Sequence, residues 1–241
     1  SLKERLELAA FVVESAAGRL PVIASGNLEK GLNNQVEEIR KIADTGVDAV
    51  VLISSLVAAE SESDAVWMDN IKTILERISS DIHLGIYESP YPYKRIMVPE
   101  LLQRCVDTGR FQFLKDTCCD LDMIKKKLEV TKATNLKIFN AHTATLLESL
   151  QAGCAGYSSI MSNCIPELYN WLIDNYLTDP EGAEELQKYL IEADEILTHR
   201  CYPATAKYYL SLEGVPVSLY TRANINCRFG DSVVEKINKL R

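Results

Sequence analysis

Short β-rich runs alternate with amphipathic helical segments over most of the 241 residues, and this alternation predicts an α/β protein with parallel strands. Two observations support the class. Ala49-Val50-Val51-Leu52-Ile53 is apolar throughout, as expected of a strand covered on both faces. Each strand-like run is separated from the next by a helix-length segment, which suits right-handed crossovers between parallel neighbours.

The elements read in order as follows. Leu2 to Ala17 is a helix ended by Gly18, and Pro21 to Gly26 is a strand leading into a loop. Asn34 to Thr45 is a helix closed near Gly46, a residue that tolerates the left-handed conformation of a helix end. After the strand 49–53, Asp64 to Ile78 is helical and His83-Leu84-Gly85-Ile86-Tyr87 is the next strand. Pro99 opens a helix running to Thr108, at a position where its missing N–H costs little. Phe111-Gln112-Phe113-Leu114-Lys115 is a strand, followed by a helix over Leu121–Val130. Lys137 to Asn140 and Ala155 to Ser159 are strands flanking a helix over Ala144–Gln151. Beyond Pro166 only helices follow: Glu167–Tyr176, Pro180–Thr198, Pro203–Leu212 and Asp231–Leu240. Six strands and a helical C-terminal segment result, with a boundary placed between 164 and 165. Periodicity does not choose between an open doubly wound sheet and a barrel. Neither G-x-G-x-x-G nor G-x-x-x-x-G-K-[ST] occurs, so both nucleotide fingerprints are missing.

Composition narrows the function. Hydrophobic residues make up 47% and charged residues 25%, ordinary for a globular soluble protein. The net charge of -8 argues against a nucleic-acid grip, which needs a basic face. No apolar run reaches the ~18 residues of a membrane span. Seven cysteines without a C-x-x-C pair read as reduced thiols of a cytoplasmic protein. His83, His142 and His199 stand far apart, so no metal is expected.

Lys115 is the most informative residue. It ends an apolar strand on the face of Phe111 and Phe113. An ammonium among aromatic groups loses hydration, its pKa falls, and a nucleophilic amine becomes accessible. Such an amine condenses with a carbonyl to an iminium, an electron sink for cleavage of a neighbouring bond. Local sequence alone favours a simpler reading, a solvated lysine whose stem lies over Phe113. Tyr87 ends another strand and could shuttle protons at the same mouth, or serve as a half-buried packing residue. Gly153 and Gly156, before and inside a strand, could let backbone N–H groups approach a carboxylate, or simply make a tight turn. Cys118-Cys119 read as loop thiols, and Lys125-Lys126-Lys127 as a solvated helix face.

Together these segments resemble the dihydrodipicolinate synthase / N-acetylneuraminate lyase family. The resemblance rests on Tyr87-Glu88-Ser89-Pro90, Phe113-Leu114-Lys115-Asp116 and Gly153-Cys154-Ala155-Gly156-Tyr157-Ser158-Ser159. It is reinforced by Gly18 to Ala24, Gly46 to Val51 and Tyr202-Pro203-Ala204-Thr205-Ala206-Lys207, in the family's order and spacing. It implies a (β/α)8 TIM barrel with a C-terminal helical extension. This chain would supply about six of the strands, three to eight, over residues 1–164, with the extension over 165–241. It further implies a class I, Schiff-base lyase acting on a 2-oxo acid such as pyruvate, without cofactor, in a cytoplasmic homotetramer or dimer. Lys115 would be the Schiff-base lysine and Tyr87 the proton relay, with Gly156, Tyr157, Ser158 and Ser159 lining the substrate.

Three departures qualify the resemblance. The family's G-T-T-G-E or G-S-T-G-E carboxylate loop is absent, and the chain matches from roughly sixty residues into a typical barrel. Ser54-Ser55 stands where synthases carry a tyrosine pair, and Pro92 where they carry an arginine, a role that Lys94 or Arg95 could take over. Thr143-Ala144 replaces the acidic pair of sialic-acid lyases. The expected activity is therefore aldol cleavage or dehydration of a smaller hydroxylated 2-oxo acid. The alternative is a catalytically impaired member that binds a 2-oxo acid as a sensor or scaffold.

Overall fold

The computed structural model describes residues 1–198, 201–222 and 227–240, so His199 lies outside the described residues. Its six strands are β1 (Ile23–Ser25), β2 (Ala49–Ile53), β3 (Leu84–Tyr87), β4 (Phe111–Asp116), β5 (Lys137–Asn140) and β6 (Gly156–Tyr157). They neighbour one another in chain order, and the pairs from β1 to β4 are parallel. A monotonic order settles what periodicity left open. With right-handed crossovers it puts every connecting helix on the same face of the sheet, as in a barrel wall, and there is no point at which the order reverses.

The helices are α1 (Leu2–Ala16), α2 (Leu32–Ala43), α3 (Ser54–Val57), α4 (Asp64–Arg77), α5 (Pro99–Asp107) and α6 (Leu121–Thr131). They continue as α7 (Leu146–Ala152), α8 (Pro166–Asn175), α9 (Pro180–Leu197), α10 (Ala204–Leu212) and α11 (Asp231–Lys239). Local chemistry explains the ends. Ser1 and Glu4 form a reciprocal capping box on α1, and Ala17 closes that helix in the left-handed conformation. Asp120 caps α6 by accepting from the amides of Asp122 and Met123. The four-residue α3 has too little length to show a helical period and is absent from the sequence reading.

By packing, the chain divides into Ser1–Phe139 and Asn140–Arg241. In the first unit, Val36, Ile39 and Ile42 of α2, Trp67, Ile71 and Ile74 of α4 and Leu101 and Leu102 of α5 are buried, as are Val50, Leu52, Leu84, Ile86 and Leu114 of the sheet. In the second, Leu146, Leu150, Tyr169, Leu172, Leu190 and Leu197 belong to one core cluster. The boundary expected between 164 and 165 followed the last strand. The packing division falls earlier, and within the second unit Gln187 of α9 donates to the Thr143 carbonyl at 2.7 Å and accepts from the Leu147 amide at 3.3 Å.

Two expectations are corrected. Cys201 and Cys227 form a disulfide, with Cα atoms 5.4 Å apart, so the seven cysteines are not all thiols. A separation of 26 residues carries no spacing signal, and only the tertiary fold brings the pair together. Lys127 is not on a solvated face: it is fully buried, whereas its neighbours Lys125 and Lys126 are exposed.

Candidate active site

Lys115 and Tyr87 come together in the first unit. They are direct Cα partners across β3 and β4, at the C-terminal ends of both strands. The Nζ of Lys115 lies 4.5 Å from the centroid of the Tyr87 ring. Both side chains are half-buried. Burial lowers the pKa of Lys115 from its ordinary value, because removing water penalises the ammonium more than the neutral amine.

Gly85 shapes the floor beneath this pair. A Cβ there would collide with the ring of Phe113, which lies across β3 in the space the missing side chain leaves. Phe113 in turn meets Phe139 edge-on, with ring centroids 6.3 Å apart. Of the two aromatic residues expected on the face of Lys115, Phe113 lies across from Gly85, whereas a register shift between Leu84 and Gly85 pairs Phe111 with Leu84.

Immediately after Tyr87 and Lys115 come Glu88 and Asp116, both fully buried. The Lys127 ammonium, from α6, binds both, at 2.6 Å from Glu88 Oε1 and 2.5 Å from Asp116 Oδ2. Burial and the Asp116 charge raise the pKa of Glu88 despite the opposing pull of Lys127. Burial alone would depress Lys127, but the two carboxylates outweigh it and hold its pKa above the ordinary value. Sequence reasoning missed this network, since its only sequence signal is an acidic residue directly after each candidate residue.

The polar groups around the strand ends have specific partners. Asn27 bridges to β2, accepting from the Ile53 amide at 2.8 Å and donating to the Ile53 carbonyl at 3.2 Å. Ser54 and Ser55 are buried and donate to the carbonyls of Arg95 and Tyr91, tethering the segment after β3. Lys94 is exposed and donates to the carbonyl of Thr117, two residues beyond Lys115. Arg95 is committed elsewhere: it pairs with Asp64 at 2.7 Å and donates to Ala59, Glu62 and Tyr93. Cys118 is a poor nucleophile, since burial and Asp116 push its thiol up to about 12.

Gly156, Tyr157, Ser158 and Ser159 lie in the second unit, at and just after β6. The Ser158 amide donates to the Asn140 carbonyl at 2.8 Å. Tyr157 stacks on Tyr169 with centroids 4.2 Å apart, and its hydroxyl meets that of Thr143 at 2.5 Å. Burial raises the pKa of both phenols, so they are neutral hydrogen-bonding groups. Among the described residues no group of three or more His, Cys, Asp or Glu is placed to hold a metal ion. Among them, too, no helix is long and apolar enough to cross a membrane.

The fold and site define a parallel β/α protein with a partly desolvated amine and a phenol side by side at the C-terminal ends of adjacent strands. The chain belongs to the dihydrodipicolinate synthetase family, whose model matches residues 1–227. The 4-hydroxy-tetrahydrodipicolinate synthase 1 of Halalkalibacterium halodurans is 25% identical over 215 residues, covering 89% of this chain and 71% of the relative. The corresponding synthase of Bacillus subtilis is 25% identical over 219 residues, covering 90% and 73%. Among solved structures, dihydrodipicolinate synthase DapA-2 of Bacillus anthracis superposes with a TM-score of 0.86 at 20% identity, covering all of this chain and 80% of its own. A family protein from E. coli K12, solved in complex with pyruvate, gives a TM-score of 0.84 at 17% identity, covering 100% and 80%.

Proposed function

We propose that this protein is a carbon–carbon or carbon–oxygen lyase that acts on a 2-oxo acid such as pyruvate through a Schiff base on Lys115. The observation that carries this reading is the Lys115 amine, lowered in pKa by burial and held 4.5 Å from the Tyr87 ring. The neutral amine attacks C2 of the 2-oxo acid, forming the C–N bond while the carbonyl oxygen takes up a proton. Loss of that oxygen as water leaves the iminium. A proton then leaves C3 to give the enamine, which can add to an aldehyde; the same steps in reverse cleave an aldol. In this reading Tyr87 relays these protons.

Substrate orientation is assigned by resemblance. Lys94, exposed beside Thr117, is the cation offered to a carboxylate. Gly156, Tyr157, Ser158 and Ser159 are offered as further substrate-binding residues. In this reading the six strands correspond, in order, to strands three to eight of an eight-stranded barrel, with the C-terminal helices as its extension. A cytoplasmic place of action belongs to the same proposal.

Incubation with pyruvate and borohydride should add to the protein the mass of pyruvate less one oxygen, once per chain. A folded sample that takes up no such mass is not using a lysine Schiff base with pyruvate.

A second reading has one observation in its favour. Arg95, a candidate carboxylate cation, spends its donors on Asp64, Ala59, Glu62 and Tyr93. A member with weakened carboxylate recognition would bind a 2-oxo acid as a sensor or scaffold. Saturable binding without turnover of any 2-oxo acid and aldehyde pair supports that alternative, and turnover excludes it.

A further inference from the structure

Lys127 takes no part in the chemistry proposed for Lys115, yet it is fully buried on two fully buried carboxylates. One ammonium and two carboxylates form a costly interior cluster. Replacing buried ion pairs with apolar side chains is often neutral or stabilising, so stability alone does not account for the cluster. Its position does. Side chains alternate along a strand, so Tyr87 and Lys115 face one side of the sheet while Glu88 and Asp116 face the other, toward α6.

Glu88 is the hub. Its Oε1 also accepts from the Met97 amide at 2.7 Å, and its Oε2 accepts from the Thr117 amide at 2.9 Å. Its own amide donates to the Lys115 carbonyl at 3.2 Å, and its carbonyl accepts from the Thr117 hydroxyl at 2.5 Å. Asp116 Oδ1 accepts from the Cys118 amide at 2.9 Å, which fixes the turn after β4. The ends of β3 and β4 are thus tied to each other and to α6 beyond the strand ladder.

We propose that Glu88, Lys127 and Asp116 form a positioning device that fixes Lys115 over the Tyr87 ring. It acts from the opposite face of the sheet and does not touch the substrate. The inference rests on Lys115 being the nucleophile, and it makes Lys127 a positioning residue. Small misplacements of reacting groups are expensive: about 1 Å can cost on the order of 10²-fold in rate.

Two variants test it. Lys127→Met follows the side chain as far as Cε and removes the ammonium; Asp116→Asn keeps the shape and leaves a neutral Glu88–Lys127 pair. The first readout is independent of activity. After reductive methylation with 13C-formaldehyde, the dimethyl signal of Lys115, assigned by its loss in Lys115→Arg, should be displaced by the Tyr87 ring current. That displacement should shrink in both variants while a cooperative thermal transition persists. The second readout is borohydride trapping with pyruvate. The rate of adduct formation should fall about tenfold or more, with half-saturating pyruvate changed by less than about threefold.

A ring-current displacement and trapping rate equal to wild type in the variants would overturn the proposal. So would a rate loss matched by an equal rise in half-saturating pyruvate. Should Lys127→Met not fold, Asp116→Asn decides on the same readouts. Wild-type protein that gives no pyruvate adduct, with variants that lose the displacement, would reject the nucleophile and leave the positioning role supported.

Discussion

The Lys115 nitrogen stands 4.5 Å from the centre of the Tyr87 ring, and the two residues are paired in register across β3 and β4. Burial disfavours the ammonium and lowers its pKa. The phenol belongs to the same ring, so the proposed relay and the proposed nucleophile are neighbours.

Lys115 is not paired with any carboxylate among the described residues. Lys115→Ala should therefore abolish adduct formation while shifting stability by no more than about 1 kcal/mol, as expected where no buried partner is orphaned. Trapping and thermal melts on the same sample check both halves.

Tyr87→Phe keeps the ring under the amine and removes the hydroxyl. Positioned acid–base groups contribute about 10²–10⁴-fold, so turnover should fall within that range. Half-saturating pyruvate should change little. A variant with wild-type turnover would remove Tyr87 from the relay.

The pH dependence follows from the direction of the Lys115 shift. The neutral amine is the reactive form, so the adduct rate should rise with pH and level off below the ordinary lysine value of 10.5. Stability has the corresponding sign. A depressed folded-state pKa contributes stability that is present above the unfolded value and lost as pH falls through the folded value. Lys115→Met should flatten that part of the stability–pH curve, as measured by urea unfolding across the alkaline range.

Gly85→Ala places a methyl group where the Phe113 ring lies. Overpacking of this kind costs about 1–3 kcal/mol. Displacing Phe113 also disturbs the strand that carries Lys115, so adduct formation should slow alongside the lower melting temperature. Unchanged melting would show that the ring has room to move.

Cysteine labelling checks the disulfide. Under denaturing, non-reducing conditions an alkylating reagent should reach Cys105, Cys118, Cys119, Cys154 and Cys164, with Cys201 and Cys227 joining only after reduction. Labelling of all seven without reductant would restore the reading of reduced thiols.

Much of this was legible in the sequence because it is local. The apolar run 49–53 and the aromatic-rich run 111–115 mark strands, Tyr87 closes β3 and Lys115 is the penultimate residue of β4, so their meeting needed only the pairing of those two strands. The missed features depend on contacts distant along the chain. Lys127 sits in a run of three lysines that looks solvated, and its burial is set by Glu88, 39 residues away, and by Asp116. Arg95 looked like a substrate cation because nothing local shows that Asp64, 31 residues earlier, already holds it. The short helix Ser54–Val57 likewise has no period of its own, and its two serines tether the segment after β3.

Residue-level mapping of the reduced pyruvate adduct by tandem mass spectrometry tests the account most directly. The added mass should reside on Lys115 alone, in the peptide that begins at Phe111. Modification of another lysine, with Lys115 unmodified in folded protein, would contradict it.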